Sequence, residues 1–315
     1  MLNYVGVSGG INLDMSALVA KVIPRAGLRV SDSVLYTPQL PAFLAPEASG
    51  QTDFVRGIQT ARFNTLTNAA TVSATYALTQ AVTLQASHSY QIVRFLNPVA
   101  TPALGGLFDQ ETHSSTAGFL VVATPKDSFG LNGLYTTTRF PEAERSSFDS
   151  YGANGTYSRV LSQALRLSMF ASVLYVQPPF QSTQYTGGAS LTWTAGPQTT
   201  ASINYSRSVF ASLAVQTVPL VSDTVITSVS HRVTPKLTAT ASANYAHNES
   251  IPAGTLEFNS YEGTVSLGYQ LSRFVTASAT YTYGNFQQEF RGSRFDFQRH
   301  AVILGLSAAW PHKVD

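Results

Sequence analysis

Residues 274–283 read FVTASATYTY, 236–245 KLTATASANY, 199–205 TTASINY and 71–78 TVSATYAL. In each, every second side chain is apolar or aromatic, and those between are mostly Ser, Thr or Asn. A strand sends successive side chains to opposite faces, so each segment has one apolar face and one wet face. One such segment fits a soluble sandwich. Fifteen of them, joined alternately by very short and longer connections, predict an all-β fold: an antiparallel transmembrane β-barrel, whose lipid-facing and lumen-facing residues alternate.

The pattern predicts strands over 9–22, 26–37, 65–78, 82–95, 111–123, 127–139, 148–161, 164–176, 182–195, 198–210, 220–233, 236–247, 258–271, 274–286 and 296–310. Each exceeds the five or six residues usual in soluble strands and covers the roughly 9–11 that a tilted strand needs to cross a bilayer. The tight connections are PRAG (24–27), TQA (79–81), TPKDS (124–128), SQ (162–163), AGPQ (195–198), TPK (234–236) and SRF (272–274), all built from turn formers. The longer set is 38–64, 96–110, 140–147, 177–181, 211–219, 248–257 and 287–295. Short periplasmic turns and longer extracellular loops are the rule for outer-membrane barrels, which orients the chain. The chain reads as one domain over 1–315, with 38–64 a long extracellular or lumen-folded loop. If 9–22 is in the wall, the first and last strands both run downward. An even count then requires residues 2–8 as a sixteenth strand; otherwise the number is fourteen. Sixteen is favoured, because INLDMSALV (11–19) alternates like the rest.

Composition agrees. Only 11% of residues are charged, against about 25% in ordinary soluble domains. Lys21, Arg25, Arg29, Lys126, Arg159, Arg166, Arg232, Lys236 and Arg273 lie near the tight turns against Asp127, while most acids lie near the long loops. Strand middles are nearly bare of charge, as a lipid-facing wall demands. The absence of Cys removes disulfides and thiolate chemistry. Met1 is followed by no basic or apolar leader, so an export signal is expected to lie outside this numbering. The net charge of +2 comes with no basic stripe for nucleic acid.

The alternation assigns faces. Val275, Ala277, Ala279, Tyr281 and Tyr283 face lipid, with Thr276, Ser278, Thr280 and Thr282 lining the lumen. Leu237, Ala239, Ala241, Ala243 and Tyr245 face out, with Thr238, Thr240, Ser242 and Asn244 inside. Tyr185, Ala189, Leu191 and Trp193 face out, with Gln184, Thr186, Ser190 and Thr192 inside. Tyr135, Tyr157, Tyr175, Trp193, Tyr245 and Trp310 recur near strand ends as aromatic girdles at the interfaces. The lumen is thus expected to be neutral, with few large side chains and wide enough for water. Arg166 and Arg232 fall on the inward register near the periplasmic mouth, where they favour anions or simply form a solvated rim.

No catalytic constellation stands out. The six His residues lack metal-site spacing, and neither a G-x-S-x-G elbow nor a P-loop occurs. His113 and His247, near the outer strand ends, are the candidates for a rim hydrolase, and no partner is identifiable for either. No cofactor or metal is expected.

The pattern resembles the bacterial outer-membrane β-barrel, porin-like superfamily over essentially the whole chain. It is most similar to barrels associated with exopolysaccharide export, through the hairpin repeats VSATYALTQAVTLQASHSY (72–90), GANGTYSRVLSQALRLSMFASVLY (152–175) and GTVSLGYQLSRFVTASATYTY (263–283). The last strand, HAVILGLSAAW (300–310), resembles the assembly signal of such barrels, with Trp310 in place of the usual terminal Phe. The resemblance implies contact with outer-membrane lipid and with the barrel assembly machinery. The leading expectation is a pore passing polar solutes, with polysaccharide as its narrower form. The alternative is a sheath, anchor or scaffold for a periplasmic or lumen-threading protein.

Overall fold

A computed structural model describes residues 7–39, 63–96, 109–141, 147–211, 219–251, 253, 256–290 and 293–308. They form β1 (Val7–Asp14), α1 (Ser16–Val22), β2 (Ala26–Gln39), β3 (Phe63–Ala77), β4 (Val82–Leu96), β5 (Gln110–Val122), β6 (Asp127–Arg139), β7 (Phe148–Ser162) and β8 (Leu165–Val176). There follow β9 (Ser182–Ala195), β10 (Thr199–Ala211), β11 (Pro219–Thr234), β12 (Leu237–Ser250), β13 (Leu256–Gln270), β14 (Val275–Phe290) and β15 (Ser293–Ala308). All fifteen strands lie in one sheet, each paired antiparallel with its neighbours in chain order. No helix among the described residues is long and apolar enough to cross a membrane.

The tight turns share one device, in which a hydroxyl replaces backbone partners. Thr79 Oγ1 accepts from the amides of Ala81 (3.1 Å) and Val82 (3.0 Å), and Thr124 Oγ1 from Lys126 (3.1 Å) and Asp127 (3.0 Å). Thr234 does the same for Lys236 and Leu237, and Ser272 for Phe274 and Val275. Such turns need Ser or Thr at their first position, which is why TQ, TP, TP and SR recur there. In AGPQ the work falls instead to Gly196, at φ +67°, a conformation that side-chain-bearing residues avoid.

Two expectations are corrected. The segment 9–22 is not one strand: β1 ends at Asp14 and 16–22 is helical. Ala17, Leu18, Ala20 and Lys21 are good helix formers. The Asp14 carboxylate accepts the Ser16 amide (3.0 Å) and also meets Arg29 (3.2 Å), which ends the strand and starts the turn of helix. The described strands number fifteen rather than sixteen; Val7 and Ser8 belong to β1, and residues 2–6 of the proposed extra strand lie outside the described residues. The 38–64 loop lies outside them too, apart from its ends, which extend β2 and β3.

β1 and β15 are the two edges, and both run toward the periplasmic end. Among the described residues they are not paired with each other. Their apolar side chains are accordingly the barest in the wall, with Leu304 79% and Ile11 63% exposed, where Ile203 inside the sheet is 47%.

Two glycines on the inward register sit closest against the backbone of a neighbouring strand. A Cβ on Gly152 would fall within the carbonyl oxygen of Val173, and one on Gly118 within that of Leu131. A Cβ on Gly155 would meet its nearest neighbour, the Ala171 carbonyl, at 3.9 Å. Gly152→Ala should therefore destabilise the folded barrel by about 1–3 kcal/mol, the usual cost of overpacking, while Gly155→Ala stays near neutral. Urea unfolding in lipid vesicles measures both; equal stability of the two variants would refute the close approach.

Candidate pore lining and membrane wall

The register divides the side chains into two sets. One face carries the residues most buried toward the outer strand ends: Thr138, Ser150, Ser172, Leu220, Ser222, Asn248, Ser260, Thr282 and Phe286. The other carries exposed aromatics and aliphatics: Tyr135, Tyr151, Val173, Tyr205, Val229, Tyr261, Val265 and Tyr281. A sheet curling into a barrel shields its concave face, so the first set lies inward and the second outward.

By register, the twelve residues expected to line the lumen share one face with the first set. Register partners link them into rows across strands. One runs Thr282, Thr264, Ser242, Ser228, Ser202, Thr192 and Arg166, from β14 to β8. The next runs Glu262, Asn244, Ile226, Asn204 and Ser190. Thr276, Ser278 and Thr280 continue down β14, and Thr238 and Thr240 down β12, while Thr186 and Gln184 continue up β9. The polar groups bond sideways: Ser202 with Ser228 at 2.8 Å, Ser266 with Thr280 at 2.9 Å, Thr264 with Thr282 at 3.2 Å, and Asn244 Nδ2 donating to Glu262 at 3.2 Å. The ladder continues on the first strands, with Ser87 to Thr116 at 2.7 Å and Gln85 Nε2 donating to Asn132 at 2.8 Å.

Arg166 and Arg232 are both exposed, beside the turns that open β8 and close β11. They share the inward register but stand three strands apart, so they form parts of a rim rather than one site. The rim is less one-sided than the sequence suggested. Besides the Arg29–Asp14 pair, Asp127 lies 3.7 Å from Arg159 and accepts from Tyr157 Oη at 2.9 Å.

The expectation of few large inward side chains fails at the outer end. Phe140, Phe148 and Val176 form a buried cluster with Phe180 and Val209 against it, and Phe258 stacks on Phe286 with centroids 5.5 Å apart. The amide of Asn248, fully buried nearby, finds no hydrogen-bond partner.

The aromatics expected at the interfaces lie on the other face, several of them in contact. Tyr135, Tyr151 and Tyr175 are register neighbours, and Tyr151 and Tyr175 lie 5.4 Å apart. Tyr245 meets Tyr261 at 5.0 Å. Near the periplasmic turns Tyr157 meets Phe129 at 4.9 Å, and Trp193 stands beside Leu165. Trp310 lies outside the described residues. Above the outer belt comes an ionic tier that the sequence reading did not assemble: Arg94 with Asp109 (2.8 Å) and Glu111 (2.6 Å), Arg139 with Asp149 (2.7 Å), and Arg207 with Asp223 (2.5 Å). An aromatic belt capped by paired charges marks the passage from hydrocarbon to headgroup. His113 and His247 belong to this face. His113 packs on Tyr90 at 4.7 Å, and His247 bonds Asn259 at 2.9 Å.

The face assignment has a direct test. Ala241 points outward from mid-β12 and Ser242 inward. Ala241→Arg should cost about 2–4 kcal/mol of folding stability in vesicles and Ser242→Arg far less, because only the first forces a cation into lipid. Equal costs in urea titrations would overturn the assignment.

With this geometry, the chain can be placed among known proteins. Residues 175–309, from the end of β8 through β15, match the family model described as "Putative beta-barrel porin 2". No curated protein sequence matches the chain. Among solved structures it is similar to the FrpB iron transporter from Neisseria meningitidis. For the F5-1 variant the identity is 9%, covering 90% of this chain and 53% of that one, with a TM-score of 0.51. For the F5-1 apoprotein the identity is 10%, covering 90% and 51%, with a TM-score of 0.50. The chain therefore spans about half the length of those proteins, and the likeness is one of fold. The fold is thus that of outer-membrane β-barrels, and the part from the end of β8 onward is similar to the β-barrel porin family.

Proposed function

We propose that the chain is a passive pore for polar solutes, lined by short neutral Ser, Thr, Asn and Gln side chains, with no residue acting as a catalyst. The observation that carries this reading is the inward row of polar side chains, in which hydroxyl bonds to hydroxyl between β10 and β11 and between β13 and β14. Each such group already has a partner, and trading it for water or a solute hydroxyl gains or loses only about 1 kcal/mol. A wall of this kind wets the passage without holding what passes, the condition for conduction. Sugars suit it well, since their hydroxyls both donate and accept; polysaccharide is the narrower candidate within this class. The apolar inward side chains at the outer end, Phe258 and Phe286 among them, narrow the path before it opens onto the ladder. At the periplasmic mouth Arg166 and Arg232 draw anions.

The test is single-channel recording of the refolded chain in a planar bilayer under a salt gradient. Stable steps with an anion-selective reversal potential are expected. The Arg166→Glu/Arg232→Glu double variant should keep the steps and move the reversal potential toward cations. A folded but silent barrel would refute the pore; steps with unchanged selectivity would refute the role of the two arginines.

A further inference from the structure

We propose that the outward arc formed by β2–β5 is a contact face with a second copy of this chain, related by a two-fold axis along the membrane normal. Near the middle of its outward face, β2 carries Asp32 and β4 carries His88, both exposed. At the corresponding places β7, β9, β12 and β13 present Ala153, Ala189, Ala243 and Val265, as lipid requires. Asp32 accepts one hydrogen bond from Asn68 Nδ2 at 2.8 Å, and His88 Nδ1 shares one with Ser115 Oγ at 2.8 Å. The second carboxylate oxygen and His88 Nε2 have no partner among the described residues. An ionisable pair at this depth is tolerated where protein, rather than lipid, covers it.

The occupant follows from the arrangement of the two groups. They stand at similar depth, on either side of β3, in adjacent rows: Asp32 opposite Ala70, and His88 opposite Val72. A two-fold axis along the membrane normal preserves depth and exchanges left for right. Centred on β3, it sets each Asp32 against the partner's His88, twice over. The arc is thus complementary to itself, an imidazole nitrogen of each copy meeting a carboxylate oxygen of the other. The side chains at the axis at this depth are Ala70, Val72 and Ala74, small enough for two walls to approach closely.

The chain has no cysteine, which makes the experiment clean. Val72→Cys, beside the axis, should form a disulfide-linked homodimer when outer-membrane vesicles are oxidised, and Ala243→Cys on the far arc should not. In detergent ultracentrifugation His88→Asp, which sets acid against acid, should weaken the dimer at least tenfold, and Asp32→His/His88→Asp should restore it. Folding of each variant is followed by its heat-modifiable mobility on gels. No cross-link at a folded Val72→Cys, equal cross-linking at Ala243→Cys, or a link to a different protein would overturn the proposal. So would an unaffected His88→Asp dimer or a double exchange that fails to rescue it.

Discussion

Hydrocarbon offers nothing to a backbone amide, and every other feature of this chain follows from that. Each N–H and C=O left unpaired inside the bilayer costs several kcal/mol, so the wall must be one unbroken ladder. The register shows how strictly this is kept. From β1 to β15 the pairing shifts only between Arg232 and Thr234 and between Val160 and Ser162. Both irregularities sit beside tight turns at the periplasmic end, where water can take up a missed bond. The hydroxyls of Thr79, Thr124, Thr234 and Ser272 serve the same end, supplying acceptors to the amides that the reversal would otherwise strand. Only the outer edges of β1 and β15 escape the ladder among the described residues. Both strands run the same way, so direct pairing between them would be parallel, and an antiparallel seam requires one further strand.

A continuous ladder leaves the side chains to solve two solvation problems at once. Outward, alanine, valine and leucine occupy the middle. Tyrosines follow where the hydrocarbon ends, and then Arg–acid pairs whose charges reach the headgroups. Inward, the hydroxyls satisfy one another and leave a shallow polar surface. Asp14 and Asp127 show the same economy at the periplasmic end, each joining a turn amide or hydroxyl to an arginine.

Most of this was legible because the period of two is both a fold signal and a face signal. The twelve residues expected inside were grouped by parity alone, and the pairing keeps them on one face of the sheet. The turns were legible from Thr, Ser, Gly and Pro at fixed places. What misled was the stretch from Ile11 to Val22. INLDMSALV alternates, yet SALVAKV also suits a helix, and the choice was settled by Asp14 capturing the Ser16 amide, a contact no periodicity encodes. The buried Phe140–Phe148–Val176 cluster was missed for a related reason. Alternation says which way a phenylalanine points but not whether its neighbours across the lumen lie close enough to bury it.

The position of a polar residue along a strand therefore carries more meaning than its type. Ser202 and Ser115 are both hydroxyls in mid-strand. The first lies on the inward register and bonds Ser228, and in the proposed pore it meets water. The second faces outward and supports a histidine where the surrounding wall is apolar. Water exposure makes the inward group inexpensive, so its abundance says little beyond wettability. The outward group has no such relief from lipid, and neither has Asp32 three strands away. In a wall otherwise so nearly free of charge, a polar side chain on the wrong face indicates that the face is not wholly lipid's. The same parity that groups the proposed pore lining thus also marks where the wall departs from its own rule.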